Sequence, residues 1–303
     1  MNTALGYASP AYAHTCAHQG MPRTFPRSGV TALVRAFEPA LGAADACAPY
    51  PLLRTAEWRA LAADLAASSD LLSFVGVIDP LATPAPGVLD DVFPDHLVAF
   101  KTHAVAHFDA RTPLAHVHPE HRRKARRAAR RLDIDVATDP SALAADWVRL
   151  YSALRAHHGF TGAADFPPAA LAEQLALPGM MAVVAREQGE VVSMSLWFVD
   201  GGEAHYHLGA SDARGYAAQA SYGTFARAFE TLAARGVEVV GLGGAAGDRD
   251  RDDGLARFKH GWANGERTAW LGGRVLDAER YARLGGGADE TDYFPAYRAR
   301  QAA

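Results

Sequence analysis

The chain has almost no cysteine, and this scarcity limits how it can be stabilised. Cys16 and Cys47 are its two cysteines among 303 residues, both lie within the first 50 residues, and neither belongs to a C-x-x-C pattern. The sequence therefore predicts neither a disulfide framework nor a zinc site. A reducing compartment fits this composition best, and a chain of this length can bury a large core without cross-links.

The sequence also lacks long apolar runs. Nowhere do 18 apolar residues follow one another without interruption, so no membrane-spanning helix is predicted. The N-terminal residues contain neither the basic segment nor the apolar core that a secretory signal needs. We therefore expect a soluble cytoplasmic protein, which can still act at a membrane surface.

Positive charge is scarce outside one short segment. The net charge is −4, yet Arg122–Arg131 contains seven Arg or Lys residues, so the rest of the chain sums to about −11. Such an asymmetry indicates an anionic ligand at one place rather than general coating of nucleic acid. We predict a helix over 119–132 with basic residues on nearly every face and a basic patch that comprises Arg122, Arg123, Arg126 and Arg127. Its anion is tRNA, a nucleotide-linked acceptor or acidic elements of the other domain, and the alternative is an intramolecular network of ion pairs.

The pattern along the chain predicts four segments. Residues 1–30 are rich in Ala, Pro, Gly and His without periodicity, which predicts a flexible N-terminal arm. Residues 31–118 have an α/β pattern, for example a strand over 71–78. Residues 119–285 form a second α/β domain, and residues 286–303 form a C-terminal tail.

The second domain has the clearer order of elements. A strand at 134–138 precedes two helices, whose apolar residues recur at helical spacing. Three strands with glycine turns follow over 180–211, and then a helix over 219–235 that ends at a glycine. A buried strand at 237–243, a short helix and a closing strand complete the domain. The order is strand, two helices, three antiparallel strands, helix, strand, helix, strand.

This order resembles the GNAT acyltransferase fold. Within that fold the chain is similar to the Fem-type peptidyltransferases and to related acetyltransferase-like proteins, over the segments HYHLGAS, ARGYAAQASYG, VVGLGG and GLARFKHGW. Fem-type proteins contain two tandem GNAT-like domains, so the resemblance implies that the first half is a degenerate one. It covers about residues 50–285, and F-K-x-x-W after a strand that ends in Gly-Gly is its most specific part.

The chain departs from these families in two places. It has no room for the helical arm that some Fem-type enzymes insert in the second domain. Acyl-CoA-dependent GNAT enzymes hold the pyrophosphate with a loop of the form R-x-x-G-x-G/A, where this chain has RGYAAQA at 214–220. Acyl-CoA and aminoacyl-tRNA both stay open as co-substrates, and no tightly bound cofactor is expected.

Lys259 is the first candidate for a catalytic residue. It lies four residues after Leu255 at the border of the apolar stripe of a helix, so its stem can pack while its ammonium reaches a cleft. In Fem-type enzymes the matching lysine is implicated near the acceptor and the transferred group, which implies stabilisation of an oxyanion or a phosphate. The alternative is a surface lysine paired with Asp252 or Asp253.

The segment between Gly209 and Gln219 is the candidate donor site. It leads from a strand to the start of a helix, where backbone N–H groups and the helix dipole favour phosphate, and Arg214 can add a bidentate contact. Gly243 and Gly244 allow a donor to approach a strand end closely, or they only form a tight turn. The predicted donor-binding residues are Gly209, Arg214, Gly215, Gln219, Gly243 and Gly244. The alternative is a plain strand-to-helix turn with an exposed arginine.

One strand carries His205, Tyr206 and His207. Because side chains alternate along a strand, the two histidines share a face and Tyr206 takes the other. His207 and Tyr206 are candidates for relaying the proton of an amine. A histidine that is hydrogen-bonded in the core is the alternative.

The candidate acceptor residues come from two segments. Lys101 and His103 alternate on a strand and are predicted to meet an anionic acceptor at the domain junction, and Phe258 and Trp262 are assigned to the acceptor as well. A metal site at His103, His107 and the histidines that follow is not predicted, because no carboxylate or cysteine spacing accompanies them.

The leading hypothesis is an acyl- or aminoacyltransferase. Its acceptor is an amine, or a hydroxyl, of a cell-wall, polysaccharide or specialised-metabolite precursor, and tRNA is a partner if the donor is aminoacyl. The alternatives are a plain acyl-CoA-dependent N-acetyltransferase and a catalytically inert GNAT-like module whose basic helix binds RNA or a protein. The sequence indicates no oligomeric state.

Overall fold

A computed structural model describes residues 4–38, 42–85, 87–159, 162–244, 254–285 and 293–299, to which every structural statement below refers. The strands are β1 (Met21–Thr24), β2 (Thr31–Glu38), β3 (Ala43–Cys47), β4 (Ser73–Val77), β5 (His96–His107), β6 (Asp133–Val136), β7 (Met180–Glu187), β8 (Glu190–Asp200), β9 (Glu203–Ser211), β10 (Val239–Gly243) and β11 (Gly265–Val275). The α-helices are α1 (Pro10–Thr15), α2 (Trp58–Ala66), α3 (Val88–Val92), α4 (Pro119–Ala129), α5 (Ala144–His158), α6 (Pro168–Leu175), α7 (Ala213–Ala217), α8 (Ala220–Ala234), α9 (Gly254–His260) and α10 (Ala278–Gly285).

The chain forms two compact units. The first comprises Met1–Phe100 and Thr268–Ala303, and the second comprises Lys101–Arg267. This division differs from the predicted domain boundaries at 118/119 and 285/286. The second unit begins earlier because the last residues of β5 pair with β10, and it ends earlier because the last five residues of β11 pair with β4 of the first unit.

A mixed sheet organises the first unit. Strands β1, β2 and β3 pair antiparallel in sequence order, β3 runs parallel to β4, and β4 pairs antiparallel with β11. Phe74 of β4 is fully buried and stacks on Phe93, against which Trp58 of α2 also packs edge to face. These contacts give the first unit a hydrophobic core of its own.

Residues 4–30 differ from the predicted flexible arm. They contain α1 and β1, and β1 pairs with β2. Tyr12, Cys16 and Phe25 are buried, and the hydroxyl of Tyr12 donates a hydrogen bond to the carbonyl of Tyr50 at 2.5 Å. Neither α1 nor β1 is longer than six residues, so the segment has too few residues to show a periodicity in its sequence.

The second unit confirms the predicted order of elements. Its strands lie in the order β5-β10-β9-β8-β7-β6, and the meander β7-β8-β9 is antiparallel. Strand β10 runs parallel to β9 and antiparallel to β5. Helices α5 and α6 follow β6, and α8 connects β9 to β10 after the short helix α7.

Adjacent residues of β8 show which helices cover each face of this sheet. Trp197 packs against Phe225 of α8, with ring centroids 4.9 Å apart. The next residue, Phe198, packs against His207, which is hydrogen-bonded to Gln174 of α6. Because consecutive strand residues point to opposite faces, α8 and α6 lie on opposite sides of the sheet.

Helix α4 has one apolar face, unlike the predicted helix with charge on nearly every side. Ala125 and Ala128 are buried, and α4 packs against α8. A side chain in place of Gly223 of α8 would bring its Cβ to 3.1 Å from the Cβ of Ala128. The two helices therefore approach closely through small residues.

None of the helices in the described part of the chain has the length and apolar composition that crossing a bilayer requires.

A buried carboxylate stabilises the first unit, which gives a stability prediction. Asp45 is fully buried, its Oδ1 accepts from Arg35 Nε at 2.9 Å, and it also accepts from Tyr297 and Arg298. We expect Asp45→Asn to lower the free energy of unfolding by about 3 kcal/mol, because it leaves two partly buried guanidinium groups without their fully buried counter-charge. Urea denaturation of both proteins measures this difference.

The matched control for Asp45→Asn is Asp70→Asn. Asp70 pairs with Arg23 at 2.5 Å, but its side chain is 62% exposed. An exposed pair of this kind contributes about 1 kcal/mol or less. Equal losses from the two substitutions would contradict the structural role assigned to Asp45.

Candidate active site

A buried lysine lies at the end of β10. Lys259 of α9 is 9% exposed, and its Nζ donates a hydrogen bond to the carbonyl oxygen of Gly244 at 2.6 Å. The side chain is therefore not the surface lysine of the alternative hypothesis. Asp252 and Asp253, the partners in that alternative, lie outside the described residues.

Glycine is needed at position 243 for two reasons. Its φ of 78° lies in the left-handed region, which side-chain-bearing residues rarely adopt. A Cβ at Gly243 would also lie only 3.1 Å from Nζ of Lys259. The same residue therefore ends the strand and leaves space for the ammonium.

The structure brings Lys101 and His103 to the same strand end. A Cβ built on Gly244 would lie 3.3 Å from Cδ2 of His103 and 3.5 Å from Cβ of Lys101. Two of the predicted acceptor residues thus lie beside Gly244, a predicted donor residue, which also accepts the hydrogen bond of Lys259.

A narrow cavity of about 30 Å³ opens beside Lys259, enough for about one water molecule. Sequence reasoning missed three polar residues of its lining, Thr102, His260 and Glu266. Glu266 lies 3.5 Å from Nδ1 of His260, measured to Oε1. Side chains alternate along β5, so the pattern that selected Lys101 and His103 left out Thr102 between them. Glu266 is an isolated carboxylate at the start of β11. Neither residue therefore carried a sequence signal.

The predicted donor segment is organised by Asp212. Its Oδ1 accepts from the backbone N–H of Gly215 at 2.9 Å, and its Oδ2 lies 3.5 Å from Arg214, whose side chain is 49% exposed. A Cβ at Gly215 would lie 2.3 Å from the carbonyl oxygen of Val192, so glycine is needed there for packing. Gln219 has a φ of 59° and directly precedes α8.

The chain matches a protein-family model described as an acetyltransferase (GNAT) domain over residues 116–260. Residues 116–260 therefore form a GNAT domain. This match contains the β7-β8-β9 meander, α8, β10 and Lys259. The predicted acyl- or aminoacyltransferase is confirmed at this general level.

Solved structures extend the likeness to the whole chain. FemX is similar over 93% of this chain and 96% of its own, with 13% sequence identity and a TM-score of 0.67. The C-terminal domain of a protein described as a lysylphosphatidylglycerol synthetase, from Agrobacterium fabrum, is similar over 90% of this chain and 89% of its own, with 18% identity and a TM-score of 0.57. L-PGS from Bacillus licheniformis is similar over 89% of this chain and 93% of its own, with 12% identity and a TM-score of 0.55.

At these identities the likeness concerns the fold. The predicted α/β fold of two units with a GNAT domain in the second half is confirmed, and the likeness to FemX in fold agrees with the predicted resemblance to the Fem-type group. A comparison with curated proteins finds no match to this chain.

Two predicted proton-relay residues of the GNAT domain lie in the core. His207 is a bulge residue of β9, and its Nε2 donates to Oε1 of Gln174 at 3.1 Å. Burial, with His205 nearby, lowers the pKa of His207 to about 3. Burial raises the pKa of the Tyr206 hydroxyl well above its usual value, and neither residue lines the cavity at Lys259. This arrangement is the hydrogen-bonded core histidine of the alternative hypothesis.

Gly209 accommodates Tyr206. A Cβ at this position would lie 2.4 Å from the Tyr206 hydroxyl oxygen. Packing within the GNAT domain therefore accounts for this glycine without a bound donor.

Phe258 and Trp262 pack against α8. The ring of Phe258 lies 4.7 Å from that of Phe225, and Trp262, which is fully buried, lies 5.2 Å from Phe229, measured between ring centroids. Both rings belong to the aromatic core of the GNAT domain. Their predicted contact with an acceptor finds no support in these contacts.

The basic patch of α4 is partly neutralised within the domain. Arg123 pairs with Glu120 at 2.8 Å, and Lys124 lies 4.7 Å from the ring centroid of Tyr222. Arg127 is exposed, whereas Arg122 and Arg126 line a second cavity. The alternative of an ion pair within the protein therefore applies to Arg123. The predicted contact with an anion remains a prediction for Arg122 and Arg126.

No group of three His, Cys, Asp or Glu side chains within the described ranges is arranged to hold a metal ion.

The lowered pKa of His207 gives a prediction about pH. The folded protein keeps this histidine neutral while the unfolded chain binds a proton near pH 6.5, so stability falls as pH drops below 6.5. Between pH 7 and pH 5 this residue alone should cost about 2 kcal/mol. We expect His207→Gln to reduce the pH dependence of unfolding by that amount, measured by urea denaturation at both values.

The control is His158→Gln, at the exposed end of α5. It should leave the pH dependence unchanged. If His207→Gln retained the full acid sensitivity of the natural chain, the neutral buried state assigned to His207 would be wrong.

Proposed function

We propose that the second unit transfers an acyl or aminoacyl group from an activated donor to an amine, with the ammonium of Lys259 stabilising the oxyanion. The single observation that carries this proposal is a buried lysine at the end of β10, beside a cavity within a GNAT domain. A buried ammonium is costly unless its environment is polar. Here the protein holds it against the carbonyl oxygen of Gly244.

The chemistry requires charge stabilisation at one oxygen. The amine attacks the donor carbonyl, and the carbonyl oxygen becomes negative in the tetrahedral intermediate. An ammonium at hydrogen-bond distance stabilises this charge most strongly where water is excluded. The C–S or C–O bond to the donor then breaks, the leaving group takes up a proton, and the attacking nitrogen loses one.

The donor is proposed to bind through its phosphates at the start of α8. The helix has 15 residues, and Arg214 lies one short helix before it. The N-terminal end of such a helix favours anions, and a guanidinium adds to that preference. This arrangement suits the phosphates of acyl-CoA and equally those of an aminoacyl-tRNA end.

The acceptor is proposed to approach from the side of Lys101 and His103. Both lie beside Gly244, and the positive charge of Lys101 would attract an anion to this strand end. This charge suits an anionic precursor that carries a reactive amine or hydroxyl, as in cell-wall, polysaccharide or specialised-metabolite synthesis. Two of the structural neighbours bear names of lysylphosphatidylglycerol synthetases, which favours an aminoacyl donor over acyl-CoA.

Substitution of Lys259 tests the catalytic proposal. We expect Lys259→Met to lower kcat by about 100- to 1,000-fold, the usual cost of removing one oxyanion donor. The measurement follows thiol release from acetyl-CoA with a panel of amines and, in parallel, transfer of a labelled amino acid from charged tRNA. Donor affinity should be unchanged.

Arg257→Met is the matched control for Lys259→Met, because Arg257 lies exposed on the same helix. Its kcat should equal that of the natural chain. Full activity of Lys259→Met with the preferred donor would refute the role of the ammonium.

Thermal shift separates the two donor classes. A donor present at about 100 times its Kd stabilises the folded protein by about 2.7 kcal/mol. A shift with CoA, reduced by Arg214→Gln but not by Arg235→Gln at the other end of α8, supports an acyl-CoA donor. A salt-sensitive shift with tRNA and none with CoA supports an aminoacyl donor. No shift with either ligand would contradict the donor site.

A further inference from the structure

A second cavity, distinct from the one at Lys259, lies between α4 and α8. Its volume is about 430 Å³, and it shares no lining residue with the cavity at Lys259. We call it the α4–α8 groove. None of the proposed steps of acyl transfer uses it.

Small residues create the floor of the groove. Ala125 of α4 faces Gly223 and Ala226 of α8, with Ile134 and Trp262 at the sides. A Cβ at Gly223 would lie only 2.4 Å from Cδ1 of Ile134. Gly223 therefore lets Ile134 pack directly against α8, and the small and aliphatic lining residues give the groove an apolar floor.

The rim of the groove is cationic. Arg122 and Arg126 lie one helical turn apart on α4, and Arg227 faces them from α8. Arg227 lies 3.8 Å from Asp135, but no carboxylate within the described ranges forms an ion pair with Arg122 or Arg126. Glu230 is the acidic member of the lining. The rim thus carries an excess of positive charge.

Two buried donors among the lining residues have no hydrogen-bond partner within the described part of the chain. They are Nε1 of Trp262, a side chain that is fully buried, and Nε of Arg122. Nearly all buried donors in folded proteins are paired, and an unpaired one costs free energy.

We propose that the α4–α8 groove binds an amphiphilic phosphate, with its head at the arginine rim and an aliphatic body on the floor. Guanidinium groups match the geometry and charge of a phosphate better than those of a neutral polar group. Burial of the aliphatic lining residues under an apolar body is favourable. The lining contains no pair of exposed aromatic rings on which a nucleobase could stack. The proposal is independent of transfer chemistry at Lys259.

Calorimetric titration of the full chain with octyl phosphate, below its micelle concentration, tests this site. We expect saturable binding with one site per chain and affinity clearly above that for inorganic phosphate. The double substitution Arg122→Gln/Arg126→Gln should weaken binding by about 10- to 100-fold, because each guanidinium removed loses a charged hydrogen bond. Equal affinity for octyl phosphate and inorganic phosphate would overturn the proposal.

The matched control removes the same charge elsewhere on the basic segment. Arg127→Gln/Arg130→Gln changes two exposed arginines that do not line the groove and should leave affinity unchanged. Equal weakening by both double variants would mean that binding reports only general charge, and the groove would be rejected.

A third variant keeps every charge and closes the space. Ala129 is an exposed lining residue at the end of α4, so Ala129→Phe should fold normally and block octyl phosphate. Undiminished binding by this variant would refute the groove even if the arginine variants failed to fold. Sedimentation with vesicles of phosphatidic acid and phosphatidylcholine then separates the sources. Co-sedimentation that Ala129→Phe abolishes indicates a lipid headgroup, and octyl phosphate binding without co-sedimentation indicates a soluble phosphate.

Discussion

The placement of one ammonium against the end of β10 constrains the whole candidate site. Lys259 is buried, so its charge needs a polar neighbour, and the carbonyl of Gly244 provides one. The pairing of β10 with β5 shifts register between Gly241 and Gly243, next to this carbonyl. The left-handed φ at Gly243 then turns the chain while leaving room for Nζ. The register shift, the glycine at position 243 and the buried lysine therefore belong to one local arrangement.

The local parts of this arrangement could be predicted from the sequence. Glycine turns, apolar periodicity and the F-K-x-x-W segment predicted the order of the second unit and selected Lys259, because each signal lies within a few neighbouring residues. The alternation on β5 likewise selected Lys101 and His103, which do lie beside Gly244. The boundary at Lys101 could not be predicted, since it depends on β5 pairing with a strand more than 130 residues later.

Residue type alone could not assign roles to the histidines and arginines. His207 looked like a proton relay, but its partner Gln174 comes from α6, so its pKa depends on tertiary packing. The arginines of α4 likewise have different surroundings that only tertiary packing determines. Arg123 has an acidic partner one turn away, whereas Arg122 lines the α4–α8 groove, whose other wall comes from α8.

The F-K-x-x-W segment spans the end of α9 and the turn that follows it. Phe258 lies on α9 and Trp262 lies two residues after its end, and both rings pack against Phe225 of α8. Lys259 is displaced by about 100° around the helix axis from Phe258, which turns its stem away from those rings. The aromatic pair fixes the rotation and position of α9, and this rotation aims the ammonium at Gly244. Replacing either ring by a small residue would thus disturb the lysine without touching it, which explains why these three side chains occur together in the most specific segment of the chain.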